Sequence, residues 1–355
     1  MDGCPLVYSE RGSSPIRENR PTLWQTLVLL GPGLFGCAGR LERHGFEEPH
    51  MGTVFRIVLW AEDELQARGA ARAAFGRIAE LDGCLSDYDP ASELSLLRGK
   101  TTWQRVSPDL WSVLAYSAEV SLETEGAFDV TVLPLTRLWR RARRRGELPA
   151  EELLEAARRA VGRHRLQLDP RTRSIRFCAP DMGLDLGGVA KGYALDQALQ
   201  ALSARGVSRA LVDGGGDVVV SAAPPGRRGW RIELAGWEEA CGRIELSHAA
   251  VATSGDTERF FELEGRRYSH LVDPRSGRAL VDSPLVTVIA RRAMAADAWA
   301  SALSVTGPAG LGSAVRNGVE ARILAPEGGG SIKRTTAGFR DKLSSAGTQD
   351  APPRR

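Results

Sequence analysis

Cysteine is scarce in this chain, with five in 355 residues, and no two of them form a C-x-x-C pair. A zinc knuckle and a thioredoxin-like redox motif therefore lack their ligands, and so odd and sparse a set does not form a disulfide framework. Charge of one sign is also in short supply. The net charge of +3 is too small to argue for a nucleic-acid partner. No internal repeat is visible. The G-x-G-x-x-G and Walker A spacings are missing, as are the G-x-S-x-G elbow and the H-E-x-x-H zinc signature. Dinucleotide and P-loop folds, hydrolase triads and zinc proteases lose support accordingly. What remains is the composition of a globular protein, 43% apolar and 26% charged, long enough for one large domain or two smaller ones.

The longest apolar stretch, residues 23–34, is interrupted by Gln25-Thr26 and Gly31-Pro32-Gly33 and is too short to span a membrane. It follows Arg17 and Arg20, as the apolar region of a secretory signal follows its basic start. It ends Leu34-Phe35-Gly36-Cys37-Ala38, which resembles a bacterial lipobox with Cys37 as the lipidated residue, although Phe35 is bulky for that motif. The expectation is a signal over 1–36, a polar linker over 37–49 and a folded domain over 50–326. The Gly-, Ser- and charge-rich residues 327–355 are expected to be disordered.

Within the domain, alternation over residues 54–60 predicts a strand and residues 62–81 an amphipathic helix. Asp89-Pro90 marks a turn, with Ser92 as a cap for a short helix. Residues 108–124 and 149–163 read as helices. The basic run at 139–145 reads as a solvated helix end rather than a nucleic-acid surface, since no aromatic platform interleaves it. Residues 166–168 and 174–177 form a predicted hairpin, 285–290 a strand and 293–305 a small-residue helix.

One stretch stands apart: Asp185-Leu-Gly-Gly188-Val-Ala-Lys191-Gly192-Tyr193, continuing to Asp213-Gly-Gly-Gly216-Asp217. It reads as an apolar strand carrying Asp185, a glycine turn, a helix opened by Lys191, and a second strand ending in three glycines. Paired glycines let a backbone approach a ligand closely, and a lysine adds charge for an anion. Tight turns in a βαβ unit would use the same residues. Asp297 and Ser301, four apart on a helix, share a face; with a backbone carbonyl they suit Mg²⁺, or Asp297 simply caps a neighbour. His270 is placed as a general base or as a structural donor. Tyr88, in a loop between helices, either stacks on a planar ligand or is half-buried. Asp129 stands among apolar residues and needs a partner.

Eight motifs occur in order: Met51-Gly-Thr; Ser86-Asp-Tyr-Asp-Pro with Ser92-Glu-Leu; Gly126-Ala-Phe-Asp-Val-Thr; Asp185-Leu-Gly-Gly-Val-Ala-Lys-Gly-Tyr-Ala; Gly214-Gly-Gly-Asp217; Thr253-Ser-Gly-Asp256; Ser269-His-Leu-Val-Asp-Pro-Arg-Ser-Gly277; and Ala296-Asp-Ala-Trp-Ala-Ser-Ala-Leu303. Together they resemble the ApbE family of FAD:protein FMN transferases over roughly residues 50–325. The resemblance implies an α+β fold, T-fold-like, with mixed or antiparallel sheets flanked by helices in a single large catalytic domain. It implies an enzyme that splits FAD at its pyrophosphate, joins FMN to a threonine of a target flavoprotein and releases AMP. Targets of the Nqr or Rnf type, and a lipid-anchored position on the periplasmic face of a bacterial membrane, are implied with it.

Carried over residue by residue, the resemblance places Met51, Tyr88, Ala127, Phe128, Asp129, Asp185, Lys191 and Leu271 against FAD. Gly188 through its carbonyl, Asp297 and Ser301 fall at an Mg²⁺ site, and His270 and Asp297 take the catalytic roles. Ser301 replaces the threonine of many members, and Ala300 an acid that some carry. The alternatives are an FAD-binding or FAD-hydrolysing protein without an acceptor, and a non-catalytic periplasmic scaffold.

Overall fold

The computed structural model describes residues 41–234, 242–255, 260–263, 265–327 and 330–347. The signal over 1–36, Cys37 and Asp256 lie outside them. The first half contains β1 (Glu42–His50), β2 (Thr53–Ala61), α1 (Glu64–Leu85), α2 (Glu93–Leu96), β3 (Gln104–Arg105), α3 (Pro108–Glu123), α4 (Leu133–Arg145), α5 (Glu151–Arg159), β4 (Leu166–Asp169), β5 (Ser174–Phe177) and α6 (Ala190–Ala204). Then follow β6 (Arg209–Gly214), β7 (Asp217–Val220), β8 (Trp230–Glu233), β9 (Arg243–Leu246), β10 (Ala249–Ser254), β11 (Phe260–Leu263), β12 (Arg266–Val272), β13 (Ala279–Val281) and β14 (Leu285–Ala290). The chain closes with α7 (Ala293–Thr306), α8 (Leu311–Arg316), β15 (Glu320–Glu327), β16 (Gly330–Thr335) and α9 (Ala337–Gly347).

Eight strands form one antiparallel sheet in the order β1-β2-β6-β7-β10-β14-β15-β16. Side chains alternate across a strand, and this sheet buries both faces. Phe55, Ile57, Ala210, Val212, Val219, Ala252, Val286 and Val288 enter the main core with α1, α3, α6 and α7. Leu211, Val218, Val220, Val251 and Ile289 face the other way, against the β8–β9 hairpin and Phe339 of α9. A third cluster joins α4 and α5 to the sheet β11-β12-β13. There the Trp139 ring stacks on Tyr268 at 5.7 Å, and its indole N–H donates to the Gly277 carbonyl at 2.9 Å.

The predicted α+β class with antiparallel sheets and flanking helices is the observed one. Four local expectations are corrected. Asp185 sits in irregular chain rather than a strand; its N–H donates to the Val130 carbonyl at 2.8 Å, and Met182, Leu184 and Leu186 bury without a ladder. Among the described residues this stretch forms no parallel βαβ unit, because β6 pairs antiparallel with both β2 and β7. Residues 42–49, expected as linker, are an edge strand, and residues 330–335 and 337–347, expected as disordered, are β16 and α9. Edge strands keep a polar face toward water, so their composition resembles that of a linker.

Candidate active site

The sheet places two hairpin turns at one end. Met51-Gly52 joins β1 to β2, and Gly215-Gly216 joins β6 to β7, both with positive φ at each central residue. That geometry fits a two-residue hairpin. The Met51 N–H donates to Asp82 at 2.9 Å, which fixes the first turn on α1. Asp217 opens β7 from the second turn and faces α6.

Helices α6 and α7 cross over this end. Their approach depends on Gly192: a Cβ there would stand 2.3 Å from the Ala293 carbonyl oxygen and 2.8 Å from Met294 Cα. These are backbone atoms, so the helices would have to part. Gly192→Ala is expected to cost about 1–3 kcal/mol of stability, read as a lowered urea midpoint; an unchanged midpoint would contradict this account of the crossing. The carboxylate of Asp196 caps the start of α7, accepting from the N–H groups of Ala293 at 2.7 Å and Met294 at 3.1 Å.

At the crossing, the ammonium of Lys191 is paired with Asp217. Asp217 also accepts from the Thr253 N–H at 3.2 Å. Asp297 accepts from the Gly192 N–H at 3.0 Å. Burial pushes the Asp297 carboxyl up to about 7, Asp217 adds to the rise and Lys191 opposes it. Two carboxyl groups thus share one ammonium, and Asp297 keeps its proton to unusually high pH for want of a further positive charge. One turn further along α7, the Ser301 hydroxyl lies against Gly188, where a Cβ would stand 2.6 Å from Ser301 Oγ and 3.5 Å from the Phe128 ring.

A hard divalent cation fits these donors. A buried carboxylate short of compensating charge, a hydroxyl and a glycine backbone offer oxygen only. Among the described residues no three His, Cys, Asp or Glu side chains cluster as a metal site. Donors so placed would supply only part of a shell, and ligand oxygens would have to complete it.

Asp185 belongs to a second cluster. It accepts from the Thr136 hydroxyl at 2.8 Å, the Arg140 guanidinium at 2.8 Å and the Gly187 N–H at 2.9 Å. Arg140 also pairs with Asp87, and its guanidinium lies 4.6 Å from the centre of the Tyr88 ring. Burial, and then the charge of Asp185, holds the Asp87 carboxyl above its ordinary range, while Arg140 pulls the other way. Tyr88 is 77% exposed, so the face of its ring away from Arg140 is open to a planar ligand.

The remaining predicted residues lie on other elements. Ala127 and Phe128 are buried between α3 and α4. The Asp129 carboxylate accepts from the Thr131 N–H at 2.9 Å and hydroxyl at 2.7 Å, which answers its need for a partner; burial raises its pKa. His270, exposed, and Leu271, half-buried, sit on β12 in the smaller sheet. Three participants escaped the sequence reading: Asp217, Asp87 and Arg140.

A family model described as "ApbE family" matches residues 51–323. The chain belongs to the ApbE family. A relative from Vibrio cholerae named FAD:protein FMN transferase is 30% identical, over 88% of this chain and 94% of its own length. The Escherichia coli K12 protein of the same name is 28% identical, over 78% and 83%. The structure is similar to the Pseudomonas stutzeri flavinyl transferase ApbE in its apo form, with a TM-score of 0.78 and 30% identity over 85% of this chain and 97% of that one. The Thermotoga maritima ApbE protein superposes with a TM-score of 0.77 at 27% identity, covering 85% and 99%.

Proposed function

We propose that this ApbE-family protein is a Mg²⁺-dependent FAD:protein FMN transferase. In this reaction FMN moves from FAD to a threonine hydroxyl of an acceptor flavoprotein of the Nqr or Rnf type, and AMP leaves. The observation that carries the reading is the convergence of Asp297, Ser301 and Gly188 beside the Lys191–Asp217 pair, where two carboxyl groups share one ammonium and the free donors are oxygens.

Transfer at a pyrophosphate depends on positioning and on neutralising charge. Gly188, Asp297 and Ser301 would hold the Mg²⁺. That ion supplies charge neutralisation at the pyrophosphate oxygens. Lys191, held by Asp217, brings a fixed positive charge to the same side. Asp185, fixed by Thr136 and Arg140, would contact FAD together with Tyr88, Met51, Ala127, Phe128, Asp129 and Leu271. His270, exposed on β12, takes the threonine proton as oxygen attacks phosphorus. That proton transfer and the P–O bond that forms are balanced by the bond that breaks to AMP.

The test incubates the protein with FAD, Mg²⁺ and an acceptor domain and separates the mixture on a denaturing gel. A flavin-fluorescent acceptor band that chelator abolishes is expected. Free FMN with no labelled band would instead make the protein an FAD pyrophosphatase. Export and lipidation at Cys37 belong to the same reading and rest on the basic start, the short apolar run and the small residue before Cys37. Mass spectrometry of the mature N-terminus is expected to show a lipidated Cys37; an unmodified or uncleaved terminus would remove the anchor.

A further inference from the structure

We propose that a basic cleft beside the 273–277 turn is the docking surface for an acidic segment of the acceptor protein. The inference rests on the transfer reading above and adds the chemistry of the partner. The cleft encloses about 620 Å³ between Arg158 and Arg159 at the end of α5, the turn Arg163-His164-Arg165, and Pro274-Arg275. Among the described residues, Arg158, Arg159, Arg163 and Arg165 have no side-chain hydrogen bond or ion pair, whereas their neighbours do: Arg275 pairs with Asp273 at 3.0 Å and Arg278 with Glu151 at 2.8 Å. Four unpaired guanidiniums converging on one concave surface repel one another, and a polyanion relieves that repulsion. Guanidiniums also present paired donors that match carboxylates.

The cleft shares walls with the candidate active site. Its lining includes Gly126 and Asp129, which flank the segment carrying Phe128, and the Phe128 ring adjoins Gly188. Pro274 and Arg275 follow His270 and Leu271 on the same strand and turn. Arg158 reaches that turn, its Cδ lying 3.8 Å from where a Cβ on Gly277 would stand. A polypeptide seated in the cleft therefore lies against the turn that follows the strand carrying His270. Four of the side chains lining the cleft are arginines without an ion pair among the described residues, which suits a segment that carries several carboxylates. Glu125 and Asp129 also line the cleft, so an incoming carboxylate is met on the arginine side, at Arg158, Arg159, Arg163 and Arg165.

The experiment uses the full chain and two fluorescently labelled threonine peptides of equal length, one flanked by Asp and Glu, the other by Asn and Gln. Binding is measured by anisotropy at low and high salt, with Arg158→Glu/Arg159→Glu/Arg163→Glu as the variant and the triple Gln substitution as a gentler one. FAD binding, followed by flavin-fluorescence quenching, is measured in parallel. The acidic peptide is expected to bind at least ~10-fold more tightly, to lose that advantage at high salt, and to lose it in both variants while FAD binding is unchanged. Equal binding of the two peptides, or undiminished binding by the triple Glu variant, would overturn the proposal. So would an effect confined to flotation with phosphatidylglycerol vesicles, which would make the cleft a lipid contact. Failure of the wild-type protein to bind FAD would count against the transferase reading, and the peptide comparison would still decide the cleft.

Discussion

Asp297→Asn is expected to abolish FMN transfer while making the metal-free protein more stable at pH 8. Outer partners of a metal site already cost 10–100-fold in affinity or activity, so losing a first ligand is expected to cost at least about 100-fold. The gain in stability has a separate cause. Burial holds the Asp297 carboxyl at about 7, far above its ordinary 3.8. Between those values the folded protein binds a proton that the unfolded chain does not. Stability of the metal-free protein therefore falls as pH rises from about 4 to 7 and levels off above. At pH 8 the ionised carboxylate is a net cost on the order of a few kcal/mol. Asn is nearly isosteric, still accepts from the Gly192 N–H, and carries no charge. Melting curves in chelator across pH 4–8 should show the slope in wild type and lose it in the variant. Mg²⁺ should stabilise wild type alone. Equal slopes, or transfer by the variant at the wild-type rate, would remove Asp297 from the metal role.

Arg140→Met is expected to be the most destabilising change outside the main core. Arg140 is the shared cation of Asp87 and Asp185, whose side chains are only 8% and 9% exposed. Removing one partner of a buried pair costs about 3–5 kcal/mol because it strands the other charge. Here Arg140 itself keeps 25% exposure, which argues for the lower end. Stranded Asp87, already held above its ordinary range by burial, then keeps its proton to still higher pH in the folded state than in the unfolded one. The deficit is therefore largest at pH 8 and shrinks as pH falls toward 5. Adding Asp87→Asn to the variant is expected to recover part of the loss. A urea midpoint for Arg140→Met that matches wild type at pH 8 would show that Arg140 is only a surface charge.

Much of this was legible in the sequence because it is local. The helix over 108–123 announces itself through its Ser107 cap, Pro108 and the spacing of Leu110, Val113 and Leu114. The shared face of Asp297 and Ser301 follows from their separation of four. Asp217 was not legible, since its pairing with Lys191 spans 26 residues and exists only because β7 runs beneath α6. Arg140 was hidden inside a run of arginines that reads as a solvated helix end. A signal was present: Thr136 and Arg140 lie one turn apart on α4, so both can reach one acceptor, and both bond Asp185. The end of the chain misled for a different reason. Its composition is that of a disordered tail, yet Phe339, fully buried against the second face of the sheet, anchors α9.

The central claim is that the two halves of the site, Asp185 to Asp217 and Asp297 to Ser301, act together to move FMN onto a protein. Mass spectrometry of an acceptor domain after incubation with FAD and Mg²⁺, with AMP measured in the same sample, tests it most directly. The account predicts one FMN added per acceptor, located on a threonine, with one AMP released for each, and neither product from Asp297→Asn. AMP and free FMN appearing with no change in acceptor mass would contradict it.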